Sequence, residues 1–346
     1  MDASVSDSRP VELSRLAGVD AARGVAALLV VLLHASDYMG VPKYFDYRPL
    51  GGIFQWGWAG VDFFFVLSGF VIAYSSMPLL GRPGGLRHYL VRRFTRIYPI
   101  YWVVTAMMLA GFVLLPVSRS GFETDPWTLF TSITLLPSGA PVIVPVAWTL
   151  IYEVLFYALF AVTVVRPTSG VALLAIWQVA TVAVQLSGTT DGVVVGYLFG
   201  WRNLHFGLGV MAAVVFWRGR VPSPEAMALV GTAAFVAVGM ATLSAAAESI
   251  DPRWFQFGLA CSSAMIVLGL AEAERSRGWR VSGALSLLGA ASYSIYLIHS
   301  PVELVMIKGL LAAGVAAWVP PFLLFVILVA GPWRAACSCT SRWSGR

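Results

Sequence analysis

A chain of 346 residues that is 58% hydrophobic and only 12% charged falls outside the soluble range, where about a quarter of the residues carry charge. The mean hydropathy of +0.79 agrees, and three cysteines cannot staple a disulfide scaffold of this length. Disorder, collagen-like repeats and outer-membrane barrels are excluded as well, since stretches such as 225–246 are apolar without alternation. The fold class is therefore all-α, a polytopic membrane helical bundle whose backbone hydrogen bonds are satisfied within each span.

In chain order, residues 1–16 (MDASVSDSRPVELSRL) form a polar segment with no charged-then-apolar leader, so no cleavage is expected. Ten spans follow near 17–36, 53–77, 91–116, 145–166, 170–187, 203–218, 225–246, 254–273, 283–306 and 312–333. Each is close to the roughly 20 residues that a bilayer requires, the shortest being 170–187 and 203–218. The transmembrane domain thus covers 17–333, and 334–346 form a tail. No internal repeat is visible. With the N-terminus inside, sixteen of the 23 basic residues fall on the cytoplasmic side. Six fall opposite (Lys43, Arg48, Arg119, Arg202, Arg253 and Lys308), and Arg23 lies within a span. This is the positive-inside pattern for ten spans with both termini cytoplasmic. The net charge of +6 is mostly this signal and calls for no nucleic-acid partner. Cys261 lies in a span, while Cys337 and Cys339 fall in the tail and read as an inert pair.

Ionisable groups inside a membrane are costly and mark candidate functional sites. The first span, VDAARGVAALLVVLLHAS, holds Asp20, Arg23 and His34. Arg23 and His34 are eleven residues apart, about three turns, on one helix face and about 16 Å apart along the axis. Asp20 stands one turn before Arg23 and can pair with it. An interfacial ion pair with a packing histidine is the alternative reading. The expected topology places Asp62, Glu153, His205 and His299 in the outer half of the bilayer with His34, which suggests one polar chamber. Trp148, Tyr152, Tyr157, Tyr293 and Tyr296 are candidates to line it. At the cytoplasmic start of the third span, VRRFTRIYPIYW presents Arg93 and Arg96 one turn apart, and the arginine fork suits phosphate. Positive-inside signalling or lipid-headgroup contact is the competing role for that pair. Pro99 is expected to kink the helix beyond it. Ser68-Gly69 suits close helix packing, and His88 reads as a solvated loop residue. There is no Walker loop, zinc-spaced cluster or serine-nucleophile elbow, so an ATP-driven pump is not expected, nor a metal site.

Five stretches, VDAARGVAALLVVLLH, GVDFFFVLSGFVI, RRFTRIYPIYW, WTLIYEVLFY and SYSIYLIHSPV, together resemble acyltransferase family 3. This family of integral membrane proteins includes O-antigen acetylases and exopolysaccharide-modifying acyltransferases. The resemblance runs from about residue 16 to 325, and the short WTLIYE form is most similar to the exopolysaccharide-production branch. It implies transfer of an acyl group, commonly acetyl, from cytoplasmic acyl-coenzyme A to a saccharide hydroxyl on the far side of a bacterial inner membrane. The acceptor is then an extracytoplasmic or lipid-linked glycan. Acyl-coenzyme A is a co-substrate, and no permanently bound cofactor is implied.

In that resemblance the catalytic histidine falls on His34 with Arg23 as its partner, and the donor-associated Arg-x-x-Arg falls on Arg93 and Arg96. The motif tryptophan falls on Trp148 and the following glutamate on Glu153. Tyr98 is assigned with Trp148 to the donor site, His299, Tyr157 and Tyr296 to the acceptor, and Glu153 or Asp62 to orienting the histidine or stabilising its imidazolium. A neutral imidazole is suited to take a hydroxyl proton near pH 7, and direct transfer and an acyl-histidine both remain open. The segment near 117–144, with Glu123, Asp125 and Trp127, is the expected place for further acceptor contacts. Three features depart from the family: GVDAARG replaces the usual LDGLRG, Val144 stands where some members carry serine, and the end reads LVAGPWRAACSCTSRWSGR. Two other classes compete: a secondary transporter, which also places ionisable residues mid-membrane but whose inverted repeats are not seen, and a non-catalytic component of polysaccharide export, which leaves the buried charges unexplained.

Overall fold

The computed structural model describes residues 16–114, 121–189, 191–219 and 221–343. The segment 1–15, Arg119 and Arg346 lie outside the described residues, as do the side chains of Cys337, Cys339 and Arg342. Among the described residues there are twelve α-helices and no strand. They are α1 (Ala17–Gly40), α2 (Ala59–Ser76), α3 (Gly85–Leu114), α4 (Pro126–Thr134), α5 (Trp148–Val165) and α6 (Pro167–Ser187). There follow α7 (Val193–Leu198), α8 (Asn203–Arg218), α9 (Pro224–Ala241), α10 (Pro252–Arg277), α11 (Gly283–Ala312) and α12 (Pro321–Trp343). Nine described spans are long and apolar enough to cross a bilayer, and Pro321–Ala335 is a shorter apolar helix. The burial pattern is that of a lipid-solvated bundle. Met107, Val179 and Leu229 are more than 60% exposed, whereas Asp62, His205, His299 and Glu303 are at 0%. The chain is an all-α, polytopic membrane protein.

Proline starts many of these helices because its missing N–H costs nothing in the first turn: Pro126, Pro167, Pro224, Pro252 and Pro321 all stand there. The last span differs from its expected bounds for the same reason. α11 runs on to Ala312, Gly314 turns the chain with φ +66°, and the next helix begins only at Pro321. α3 begins at Gly85, before the expected span, and continues through Pro99. α1 has no cap of its own. Its first two N–H groups, Ala17 and Gly18, donate to the Glu274 carboxylate of α10 at 2.9 Å each.

Two close helix pairs position the interior. α1 runs alongside α11 with Gly24 and Gly289 at the crossing, where a Cβ on Gly289 would lie 2.4 Å from the Asp20 carbonyl. α2 runs alongside α8, and a Cβ on Gly69 would lie 2.2 Å from the Phe206 carbonyl. Without side chains at these positions the backbones approach closely, which is how helices gain contact in lipid. The sixth span is broken, with α7 ending before α8 begins. Carbonyls freed at the break are satisfied by side chains, Asn203 donating to Tyr197 and Leu198 and Gln185 donating to Phe199.

Candidate active site

α1 carries three of the polar groups expected from the sequence, Asp20, Arg23 and His34. Arg23 Nε donates to Ser292 Oγ of α11 at 2.7 Å, and Nη2 donates to the Gly289 carbonyl at 2.9 Å and meets Asp20 Oδ1 at 3.2 Å. His34 Nδ1 lies 2.9 Å from the Val30 carbonyl. A carbonyl only accepts, so Nδ1 carries the hydrogen, and in the neutral ring Nε2 then presents a lone pair. The His34 and His299 rings meet edge to face with centroids 5.0 Å apart.

Toward the basic end of the bundle, Arg93 is buried, bonded to Ser75 Oγ and stacked over the rings of Tyr89 and Tyr157. Arg96 is half-buried and within electrostatic reach of Glu153, Tyr157, Asp20 and Tyr293. Glu153 accepts from the Tyr157 hydroxyl at 2.5 Å and from Ser68 at 3.3 Å. Two cavities meet here. One, between α2 and α3, is lined by Ser75, Arg92, Arg93 and Arg96. The other lies among α1, α2, α3, α5 and α11 and is lined by Arg23, Arg96, Glu153, Tyr293 and Tyr296, among others. Arg96 lines both. Tyr296 carries the polar path onward, its hydroxyl 3.0 Å from Thr149 Oγ1 and its ring 5.8 Å from that of His299.

Other candidates lie apart from this path. Asp62 Oδ1 lies 3.4 Å from His205 Nδ1 and 3.8 Å from Arg202 Nε, where the chain re-enters α8, with no hydrogen bond between them. Phe65, a lining residue of the inner cavity, packs against His205. The single chamber expected from depth is therefore three groups: His34 with His299, Arg23 with Arg96 and Glu153, and Asp62 with His205 and Arg202. Depth alone carries no azimuth, and helix rotation separates residues at one level. Trp148 opens α5 beneath Arg202, 4.9 Å from ring centroid to guanidinium. Tyr98, expected beside the arginines, lines neither cavity. Its hydroxyl donates to the Thr134 carbonyl at 3.0 Å, tying α3 to the end of α4, and its ring stacks on Phe94 and packs at a tilt against Trp102. In the connecting segment, Glu123 is buried, Trp127 is exposed, and Asp125 caps α4 by accepting the Thr128 N–H at 2.7 Å.

The sequence model of the Acyltransferase domain family matches residues 16–334, which takes in every one of these groups. The chain belongs to acyltransferase family 3. The exopolysaccharide production protein ExoZ of Rhizobium meliloti is 31% identical over 292 residues, 81% of this chain and 86% of that protein. The putative membrane-bound transacylase BcsY of Komagataeibacter xylinus is 27% identical, covering 88% of this chain and 79% of its own length. The putative peptidoglycan O-acetyltransferase YrhL of Bacillus subtilis is 24% identical over 82% of this chain, which spans 48% of YrhL. No solved structure matches.

In this acyltransferase-family chain several site neighbours escaped the sequence reading. Ser75, Ser292 and Thr149 hold Arg93, Arg23 and Tyr296, but a serine or threonine in an apolar span carries no signal that separates a partner from a packing residue. By sequence Arg202 reads only as an external charge. Glu303, wholly buried in α11, was legible: it follows His299 by four residues, one helical turn, in IHSPVEL.

Proposed function

We propose that this membrane acyltransferase moves an acetyl group from acetyl-coenzyme A to a hydroxyl of an extracytoplasmic or lipid-linked saccharide. The names of ExoZ and YrhL support a surface polysaccharide as the acceptor. The observation that carries the reading is that Arg96 lines both cavities, so that a basic cleft adjoins an interior lined by Arg23, Glu153 and Tyr296 and, beyond Tyr296, the two histidines. The protein sits in the inner membrane with both termini and the basic end in the cytoplasm, as its arginines favour.

Arg92, Arg93 and Arg96 hold the phosphates of the donor, whose slender pantetheine arm passes Arg96 and Arg23 and places the thioester beyond them, beside Tyr296. Glu153, held by Tyr157 and Ser68, balances the charge of Arg96 electrostatically. The acceptor enters from the opposite end beside His299. His34 Nε2 takes the hydroxyl proton as the oxygen bonds to the thioester carbonyl carbon. The C–S bond then breaks, and the imidazolium returns that proton to the departing thiolate, leaving ester and free thiol. The Tyr296 hydroxyl steadies the oxyanion formed in between. Transfer through an acyl-histidine uses the same nitrogen and the same balance. Asp62 acts at a distance, through Arg202 and Trp148 on the start of α5.

His34→Ala is expected to reduce acylation of the surface polysaccharide at least about 100-fold while the protein inserts normally. Mass spectrometry of polysaccharide from a deletion strain carrying each form reads this directly. Retained acylation with His34→Ala removes His34 from the reaction.

A further inference from the structure

Beyond Tyr296, the outer half of α11 holds a row of buried polar atoms without hydrogen-bond partners beside polar groups of α1. His299 Nδ1 faces the Tyr296 carbonyl at 2.7 Å, so, as in His34, the hydrogen resides on Nδ1 and Nε2 presents a lone pair. That Nε2 is buried and has no hydrogen-bond partner. One turn further along α11, Glu303 is 0% exposed and both of its carboxyl oxygens are without a hydrogen-bond partner. Between them Ser300 Oγ and the Tyr38 hydroxyl of α1 bond to each other at 2.7 Å. Glu303 acts electrostatically on Tyr38 and Asp37, so it belongs to the face of α11 that meets α1. Asp37 is exposed at this end and is held by Gln55 at 2.9 Å, so the row reaches the surface away from the basic cleft.

Buried polar atoms without partners are rare in native proteins, because each loses its hydration and gains nothing in return. His299 Nε2 needs a donor, while a carboxyl oxygen accepts and a protonated carboxyl also donates, so the pair matches a ligand with O–H groups, which do both, and His299 Nε2 mismatches a carboxylate or phosphate, which brings only acceptors. We infer that His299 Nε2 and the Glu303 carboxyl form a subsite for a second hydroxyl of the acceptor, beside the hydroxyl that His34 deprotonates. The acceptor is then a diol or polyol bound through at least two oxygens, and Glu303 is a positioning residue that sets which hydroxyl meets His34. This rests on the acyl-transfer reading above. It adds to that reading a residue and a requirement on the acceptor.

The test uses the purified full chain in nanodiscs, radiolabelled acetyl-coenzyme A, and surface polysaccharide from a deletion strain as the acceptor. With Glu303→Leu the half-saturating polysaccharide concentration is expected to rise about tenfold or more, while that of acetyl-coenzyme A stays unchanged. Glu303→Gln keeps an amide oxygen that accepts, so it is expected to show a smaller rise. Should Glu303→Leu fail to insert, the glutamine variant must still show a rise of about threefold. An unchanged polysaccharide requirement overturns the subsite, and so does an equal loss for both substrates or a fall in kcat alone. A wild-type protein that acetylates nothing overturns the acyl-transfer reading itself, and the subsite with it.

Discussion

Replacing Arg23 by lysine separates the guanidinium fork from its charge. Arg23 bonds in two directions on α11, to Ser292 Oγ at 2.7 Å and to the Gly289 carbonyl at 2.9 Å, and it also meets Asp20 at 3.2 Å. A lysine ammonium is a single point on a flexible stem, so it is expected to keep the Asp20 pair and lose Ser292. One charge-assisted bond is worth about 1.5–3 kcal/mol. Arg23 and Asp20 are 15% and 18% exposed, so residual solvation puts the expected loss near the lower end, about 1.5–2 kcal/mol. Ser292→Ala removes the same bond from the other side. The double variant should therefore cost little more than the worse single one, with a coupling of about 1 kcal/mol or more. Thermal unfolding in detergent, followed by tryptophan fluorescence, reads the stability, and transfer from acetyl-coenzyme A reads the site. Both should fall, because Arg23 locks α1 to α11 and also lines the inner cavity. An unchanged midpoint and rate in Arg23→Lys, or two single effects that simply add, would refute this reasoning.

Three further outcomes are expected. Arg93→Ala with Arg96→Ala should weaken coenzyme A binding, measured by calorimetry in detergent, by about tenfold or more; unchanged affinity moves the donor site elsewhere. Gly69→Val should lower the thermal midpoint through overpacking of about 1–3 kcal/mol, since its Cβ would start 2.2 Å from the Phe206 carbonyl; a midpoint equal to wild type contradicts the close α2–α8 approach. The Thr128 N–H bond holds the exposed Asp125 carboxyl below the usual carboxylate range. A depressed value means that the cap stabilises α4 above the ordinary carboxylate pKa and is lost as pH falls through the depressed one. Amide exchange in the first turn of α4, corrected for intrinsic rates, should thus quicken on acidification in the wild type and be fast throughout in Asp125→Ala. Protection that ignores both changes counts against the cap.

Much of the fold was legible because a bilayer imposes a length and an apolar composition on each span, and these survive in a one-dimensional string. Most spans start and stop within a few residues of their expected bounds. α3 begins six residues early, the sixth span begins ten early with the short α7, and where the last one shifts, a glycine turn and the Pro320-Pro321 pair account for it. The His34, Arg23, Arg93 and Arg96 motifs were equally legible, since an ionisable residue among aliphatics stands out. Their partners were not. Whether Asp62 faces His34 or His205, whether Tyr98 turns to the arginines or to α4, and which serines bind guanidinium groups all depend on how each helix is rotated about its axis. That rotation is set by contacts between distant segments, such as Gly69 on Phe206 and Gly289 on Asp20. Sequence alone determined which helices cross the membrane and which polar residues they carry into it; only tertiary packing decided which of those residues share a cavity, because azimuth is a property of helix pairs.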